Sequence, residues 1–75
     1  MKQSDLSFID NSKTCVFCTW NNNIEFYWES RASRILVRDM ADSDNCFCDI
    51  DIPSDFTAAN ARREICRWLE ASFNV

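Results

Sequence analysis

The chain has 75 residues, a net charge of −4, 47% hydrophobic residues and three tryptophans, which predicts one folded domain spanning residues 1–75. It contains no glycine and no histidine, which excludes glycine-rich phosphate loops and any catalytic pair in which histidine activates a nucleophile. The negative charge argues against general nucleic-acid binding and against an anionic membrane surface, and it favours partners with basic surfaces.

The N-terminal segment has no apolar run long enough for a signal peptide, and no stretch of the chain approaches the length of a membrane span. A cytoplasmic location is therefore expected. Within this segment, Leu6, Phe8 and Ile9 precede a polar turn at residues 10–13. A short strand and a single helical turn capped by Ser4 both fit, and the strand is preferred because the turn would fold it back beside the next strand.

Residues 14–29 predict a β-hairpin, because aromatic and β-branched residues alternate on both sides of three asparagines. Asparagine tolerates positive φ, so residues 21–23 make a plausible turn. The side-chain period of two favours a three-residue loop, because a two-residue loop would mix the apolar and polar sets of the two strands. The three-residue loop places Trp20 opposite Ile24, Cys18 opposite Phe26, and Val16 opposite Trp28.

Residues 34–38 predict a third strand, whose Ile35 and Val37 join the apolar face. Pairing Phe26 with Val37 extends the hairpin register. The same alignment sets Glu29 against Arg34 and Glu25 against Arg38, and opposite charges across strands favour this register.

Residues 46–52 alternate as a strand with one buried face. Cys46, Cys48, Ile50 and Ile52 point one way, and Phe47, Asp49 and Asp51 point the other. Pro53 ends this strand, because proline cannot donate to a β-ladder.

From Ala58 the apolar period becomes helical and continues to about Ser72 or Phe73, after the candidate N-caps Ser54, Asp55 and Thr57. An apolar helix stripe and a sheet with one apolar face should cover each other. The predicted fold is α+β, a small two-layer sandwich in which an antiparallel β-meander of three to five strands is packed by one C-terminal α-helix.

The five cysteines are expected to be free thiols in a reducing compartment. Cys15, Cys18, Cys46 and Cys48 have the number and pairing of ligands for a structural zinc site. In a strand, however, Cys15 and Cys18 point to opposite faces. The preferred interpretation is buried thiols, with no metal and no cofactor, and a structural zinc module with these four cysteines as ligands is the alternative.

The sheet face away from the helix should carry aromatic residues surrounded by acids, and no lysine or arginine interrupts residues 39–61. Aromatic anchors with a charged rim are typical of protein–protein sites. The candidate partner-binding residues are Asp42, Asp44, Phe47, Asp49, Asp51, Tyr27, Phe17 and Glu25.

These features favour a small, acidic, non-enzymatic protein that binds another protein, as an inhibitor or an adaptor. One version is a phage or mobile-element protein whose anionic surface mimics nucleic acid and blocks a host defence protein. A homodimeric structural protein joined through the aromatic face is a further alternative.

Overall fold

The computed structural model of the chain describes residues 1–41 and 49–75. Within them, a five-stranded antiparallel sheet has the strand order β1-β2-β3-β4-β5. Its strands are β1 (Ser7–Asn11), β2 (Cys15–Trp20), β3 (Ile24–Glu29), β4 (Arg34–Asp39) and β5 (Ile50–Asp51), and one helix, α1 (Ala58–Phe73), follows them. The predicted α+β fold, an antiparallel meander packed by one C-terminal helix, is confirmed.

The β2–β3 hairpin has the predicted register, with Cys18 opposite Phe26 and the flanking pairs in step. Asn21 and Asn22 adopt left-handed φ values of 57° and 50°, which asparagine accepts more readily than most residues. The Asn23 N–H donates to the Trp20 carbonyl at 3.1 Å. Three asparagines therefore close a tight turn in a chain without glycine.

The β3–β4 register is also as predicted where the two strands pair, with Glu25 opposite Arg38 and Phe26 opposite Val37. The paired residues end at Tyr27 and Leu36, so the predicted pairing of Glu29 with Arg34 lies outside this ladder.

The N-terminal segment forms the predicted strand, and the alternative of a helical turn at Leu6, Phe8 and Ile9 capped by Ser4 is wrong: the helical turn that is present lies earlier and has Lys2 as its N-cap. A 3₁₀ turn covers Gln3–Asp5, and strand β1 follows it and pairs with β2. The register shifts between Phe8 and Asp10, which leaves Ile9 in a bulge and 64% exposed. The strand prediction is therefore confirmed, and the strand continues through Asn11, into the predicted turn.

The last strand is described only in part. Residues 50–51 form β5, which pairs with β4 and sets Ile50 opposite Ile35 and Asp51 opposite Arg34. Ile52 is buried and Asp51 is exposed, as the predicted alternation requires. The predicted positions of Cys46, Phe47 and Cys48 lie outside the described residues.

Helix α1 begins at the N-cap Thr57, whose Oγ1 accepts the Asn60 N–H at 3.2 Å. Its buried stripe consists of Ala58, Ala61, Ile65, Cys66 and Leu69. Trp68 lies beside that stripe and packs edge-on against Phe26, with ring centroids 5.6 Å apart. Since Phe26 is 0% exposed, the helix seals the face of the sheet that the sequence assigned to the core.

The core therefore lies between one face of the sheet and α1. We call this side of the sheet the inner face; its fully buried residues are Val16, Cys18, Ile24, Phe26, Trp28, Ile35 and Val37. In the part of the chain that the structure describes, no helix has the length and apolar character needed to cross a membrane.

Candidate functional site

The opposite side of the sheet, which we call the outer face, is the candidate functional site. Strand alternation determines which residues belong to it, because successive side chains point to opposite faces. The outer residues of β3 and β4 are more exposed than the buried inner ones, and on β2 the exception is Thr19, which is on the outer side of the strand but buried. The side chains of the outer face come from three central strands: Cys15, Phe17 and Thr19 of β2, Glu25, Tyr27 and Glu29 of β3, and Arg34, Leu36 and Arg38 of β4.

An apolar row crosses the centre of the outer face. Tyr27 lies opposite Phe17 on one side and opposite Leu36 on the other. The Phe17 and Tyr27 rings are 5.5 Å apart and nearly perpendicular, at 75°, which is a favourable aromatic geometry. All three side chains are half-buried, so this row keeps apolar surface in contact with solvent.

The phenol of Tyr27 is held by a neighbour on its own strand. It donates to the Glu29 carboxylate Oε1 at 2.6 Å. This hydrogen bond is the main reason that the pKa of Tyr27 is raised to about 12, because the neutral phenol can donate and the phenolate cannot. Tyr27 is therefore a neutral, oriented aromatic group at neutral pH.

Asp49, the residue directly before β5, bonds to β4 within the chain itself. Its Oδ1 accepts the backbone N–H of Val37 at 3.1 Å and the Nη1 of Arg38 at 3.1 Å. Asp49 thus supplies the acceptor for the Val37 N–H, and its charge is balanced by Arg38. Its side chain is 23% exposed, which leaves limited surface for an outside partner.

The structure brings three of the predicted partner-binding residues together on the central strands. These are Phe17, Tyr27 and Glu25, while Asp51 is exposed on β5, next to Arg34 in the register. Asp42, Asp44 and Phe47 lie outside the described residues. The described part of the predicted site thus contains the aromatic residues Phe17 and Tyr27 and the acids Glu25, Asp49 and Asp51.

Charge on the outer face is arranged by strand. The outward acids of β3 are Glu25 and Glu29, and the outward arginines of β4 are Arg34 and Arg38. The sequence showed these residues as cross-strand pairs, but it did not show that they flank Tyr27 and Leu36 as two parallel rows of opposite charge. The signal for this arrangement was the spacing: Glu25 and Glu29 each lie two residues from Tyr27, and Arg34 and Arg38 each lie two residues from Leu36.

A shallow cavity opens beside Tyr27 at the end of the two charged rows. It has a volume of about 290 Å³ and is lined by side chains that include Tyr27, Leu36, Glu29 and Arg34. The concavity combines apolar surface with both signs of charge. It can therefore accept a projecting side chain of a partner next to the apolar row.

The cysteines of the zinc alternative do not converge where the structure describes them. Cys15 lies on the outer face, whereas Cys18 lies on the inner face and is 0% exposed. Cys46 and Cys48 lie outside the described residues, and no metal-binding group of three or more acidic, cysteine or histidine side chains occurs among the described ones. Strand β2 therefore presents one thiol, not two, to any single ion.

Burial predicts very different reactivities for Cys15 and Cys18. Burial, and to a smaller extent Cys66, raises the pKa of Cys18 to about 12, so the reactive thiolate is scarce in the folded protein. With iodoacetamide at pH 8, we expect Cys18 to be labelled at least about a hundredfold more slowly than the half-buried Cys15. Peptide mapping by mass spectrometry measures both rates in one sample.

The same labelling experiment contains its own control. In denaturant both cysteines should react at similar rates, because burial no longer separates their pKa values. Comparable rates for Cys15 and Cys18 in the native protein would contradict the placement of Cys18 beneath α1.

Comparisons with known proteins find no match to this chain among protein-family models, curated proteins or solved structures. Function is therefore inferred from the geometry of the chain itself.

Proposed function

We propose that this chain is a non-enzymatic, cytoplasmic binding protein that docks another protein on its outer face. The observation that carries the proposal is the half-exposed row of Phe17, Tyr27 and Leu36 on a sheet whose core lies on the other side. These side chains lie outside the core, so packing beneath α1 does not account for their apolar character. Aromatic groups within a charged rim are typical of the energetic centres of protein interfaces.

Rigidity supports the same proposal. Tyr27 is fixed by its bond to Glu29 and by the Phe17 ring, so binding would immobilise few additional rotamers. The neighbouring cavity gives a partner side chain a place to insert. Such an oriented aromatic group next to a concavity makes an efficient anchor.

The charge of the chain indicates the chemistry of the partner. The net charge is −4, and Glu25 and Asp51 have no ion-pair partner among the described residues. These acids favour a partner with lysine or arginine around an apolar contact, and they would accelerate association at low salt. An inhibitor or adaptor, including a mobile-element product that covers the nucleic-acid site of a host defence protein, fits this chemistry.

The test is quantitative capture with matched variants. Proteins retained by the immobilised chain from a lysate of its source organism are identified by mass spectrometry, and the affinity of each is then measured. Tyr27→Ala and Glu25→Lys should each weaken the binding of the true partner by about 30-fold or more. Asp55→Lys, the same charge reversal on an exposed residue of the loop between β5 and α1, should change affinity by less than about threefold.

A captured protein that binds the Tyr27→Ala and Glu25→Lys variants as tightly as the unmodified chain would contradict the use of the outer face. Circular dichroism of each variant separates lost binding from lost folding.

The two rows of opposite charge favour a second candidate, a homodimer. A two-fold axis parallel to the strands, between two outer faces, places β3 of one copy over β4 of the other. Glu25 then meets Arg38, Glu29 meets Arg34, and Tyr27 meets Leu36, each pair occurring twice as an isologous interface requires. Light scattering distinguishes the candidates: the dimer predicts a doubled mass that Tyr27→Ala returns to the monomer value.

A further inference from the structure

A second groove lies on the helix side of the molecule and shares Ser30 with the lining of the outer-face cavity. It opens where the β1–β2 turn meets the first turn of α1, and its volume is about 760 Å³. Volumes of about 300–1,000 Å³ are typical of small-molecule sites. Two half-buried aromatic side chains, Phe8 and Phe56, contribute apolar walls.

The charge of this groove is opposite to that of the whole chain. Its lining includes Lys13 and Arg62, and none of the described residues that line it is acidic. Neither cation belongs to an ion pair within the described part of the chain. In a protein of net charge −4, this concavity therefore has two cations that the described residues leave unbalanced.

A neutral residue fixes the direction of Arg62. Its Nη1 donates to the side-chain Oδ1 of Asn11 at 2.9 Å. The amide orients the guanidinium without neutralising it, and the guanidinium retains further N–H donors. The cation is thus held at the groove with its charge available.

We propose that this groove binds a small organic phosphate, a phosphate monoester carried on a ring. A guanidinium fork and an ammonium group together suit a phosphate dianion, and the side chains of Gln3 and Ser30 add polar groups to the same lining. The ring of the ligand would pack against Phe8 and Phe56. The proposal depends on the cavity and its two cations, and it is independent of the outer face.

The experiment is a titration of the ¹⁵N-labelled full chain with phenyl phosphate, followed by two-dimensional NMR. Saturable shifts should concentrate at the amides of residues 11–13, Ser30 and residues 57–59. Inorganic phosphate should bind at the same residues at least about tenfold more weakly, because it lacks the ring. Benzyl alcohol, which has the ring without the charge, should give no saturable shift.

Two double variants decide whether the groove is the site. Lys13→Gln with Arg62→Gln should raise the dissociation constant for phenyl phosphate at least about tenfold. Arg63→Gln with Arg67→Gln removes the same charge from exposed positions of α1 and should change the dissociation constant less than about twofold.

Three results would overturn the proposal: equal losses of affinity in both double variants, shifts that are not localised to the groove, or equal affinity for phenyl phosphate and inorganic phosphate. The dispersion of each spectrum shows whether the variant is folded.

Discussion

Phe26→Ala should lower the free energy of unfolding by about 3–5 kcal/mol, whereas Tyr27→Ala, one residue along the same strand, should lower it by about 1 kcal/mol. Phe26 is 0% exposed and packs against Trp68 of α1, so its removal leaves a cavity between sheet and helix. Tyr27 lies on the outer face, where truncation loses the contact with Phe17 and the bond to Glu29 and leaves no cavity beneath the helix.

Urea unfolding followed by far-UV circular dichroism measures both changes. Small domains have total stabilities of only a few kcal/mol, so Phe26→Ala is expected to be largely unfolded in water. Phe26→Leu provides a folded comparison, with an expected loss of about 1–1.5 kcal/mol. Equal losses for Phe26→Leu and Tyr27→Leu, or a larger loss for the latter, would reverse the assignment of the two faces of the sheet.

The sidedness of the sheet could be predicted because it follows from period-two alternation, which is a local property of the sequence. Once Cys18 is set opposite Phe26, every other pair in the hairpin follows, and the observed register agrees. The three asparagines indicated a turn through their tolerance of positive φ, and the apolar alignment of the two strands gave its length of three residues. The helix could be predicted as well, since the apolar period changes at Ala58. The sequence left three N-cap candidates open, and the structure uses Thr57.

Side-chain partners could not be predicted in the same way. Arg38 lies opposite Glu25 in the register, yet its ion pair is with Asp49, eleven residues along the chain. Strand register sets which residues lie opposite each other, but it does not say which carboxylate a long arginine side chain will contact, since Asp49 is not a register partner of Arg38. The bond between Tyr27 and Glu29 depends likewise on rotamers that sequence spacing leaves open.

The β1 bulge is a similar case. The sequence predicted a strand near Phe8, but the register shift at Ile9 depends on how the strand passes over β2. The bulge gives an edge strand an irregular pairing surface and exposes Ile9, and such irregularity is a common protection against edge-to-edge association. The β1 edge is therefore less suited to strand addition by a partner than a regular edge would be.

Asp49→Ala should lower the free energy of unfolding by about 2 kcal/mol, because it removes charge-assisted bonds and leaves a backbone donor without its acceptor. Asp49 accepts from both the Val37 N–H and Arg38, and this arrangement joins the residue before β5 to β4 next to the fully buried Val37 side chain. Asp51→Ala removes the same charge from an exposed position two residues away and should change stability by no more than about 0.5 kcal/mol.

Hydrogen exchange at the Val37 amide makes the test specific to this bond. Exchange should accelerate in Asp49→Ala beyond the global loss of stability and remain unchanged in Asp51→Ala. Asp49→Asn, which keeps a carbonyl acceptor but not the charge, should recover part of the protection.

If Asp49→Ala and Asp51→Ala are equally stable and equally protected, the bond from Asp49 to β4 does not stabilise the sheet and the Asp49 carboxylate is available for a partner. If they differ as expected, the acids for docking are Glu25 and Asp51, and loss of binding in an Asp49 variant would report damage to the sheet rather than a lost contact.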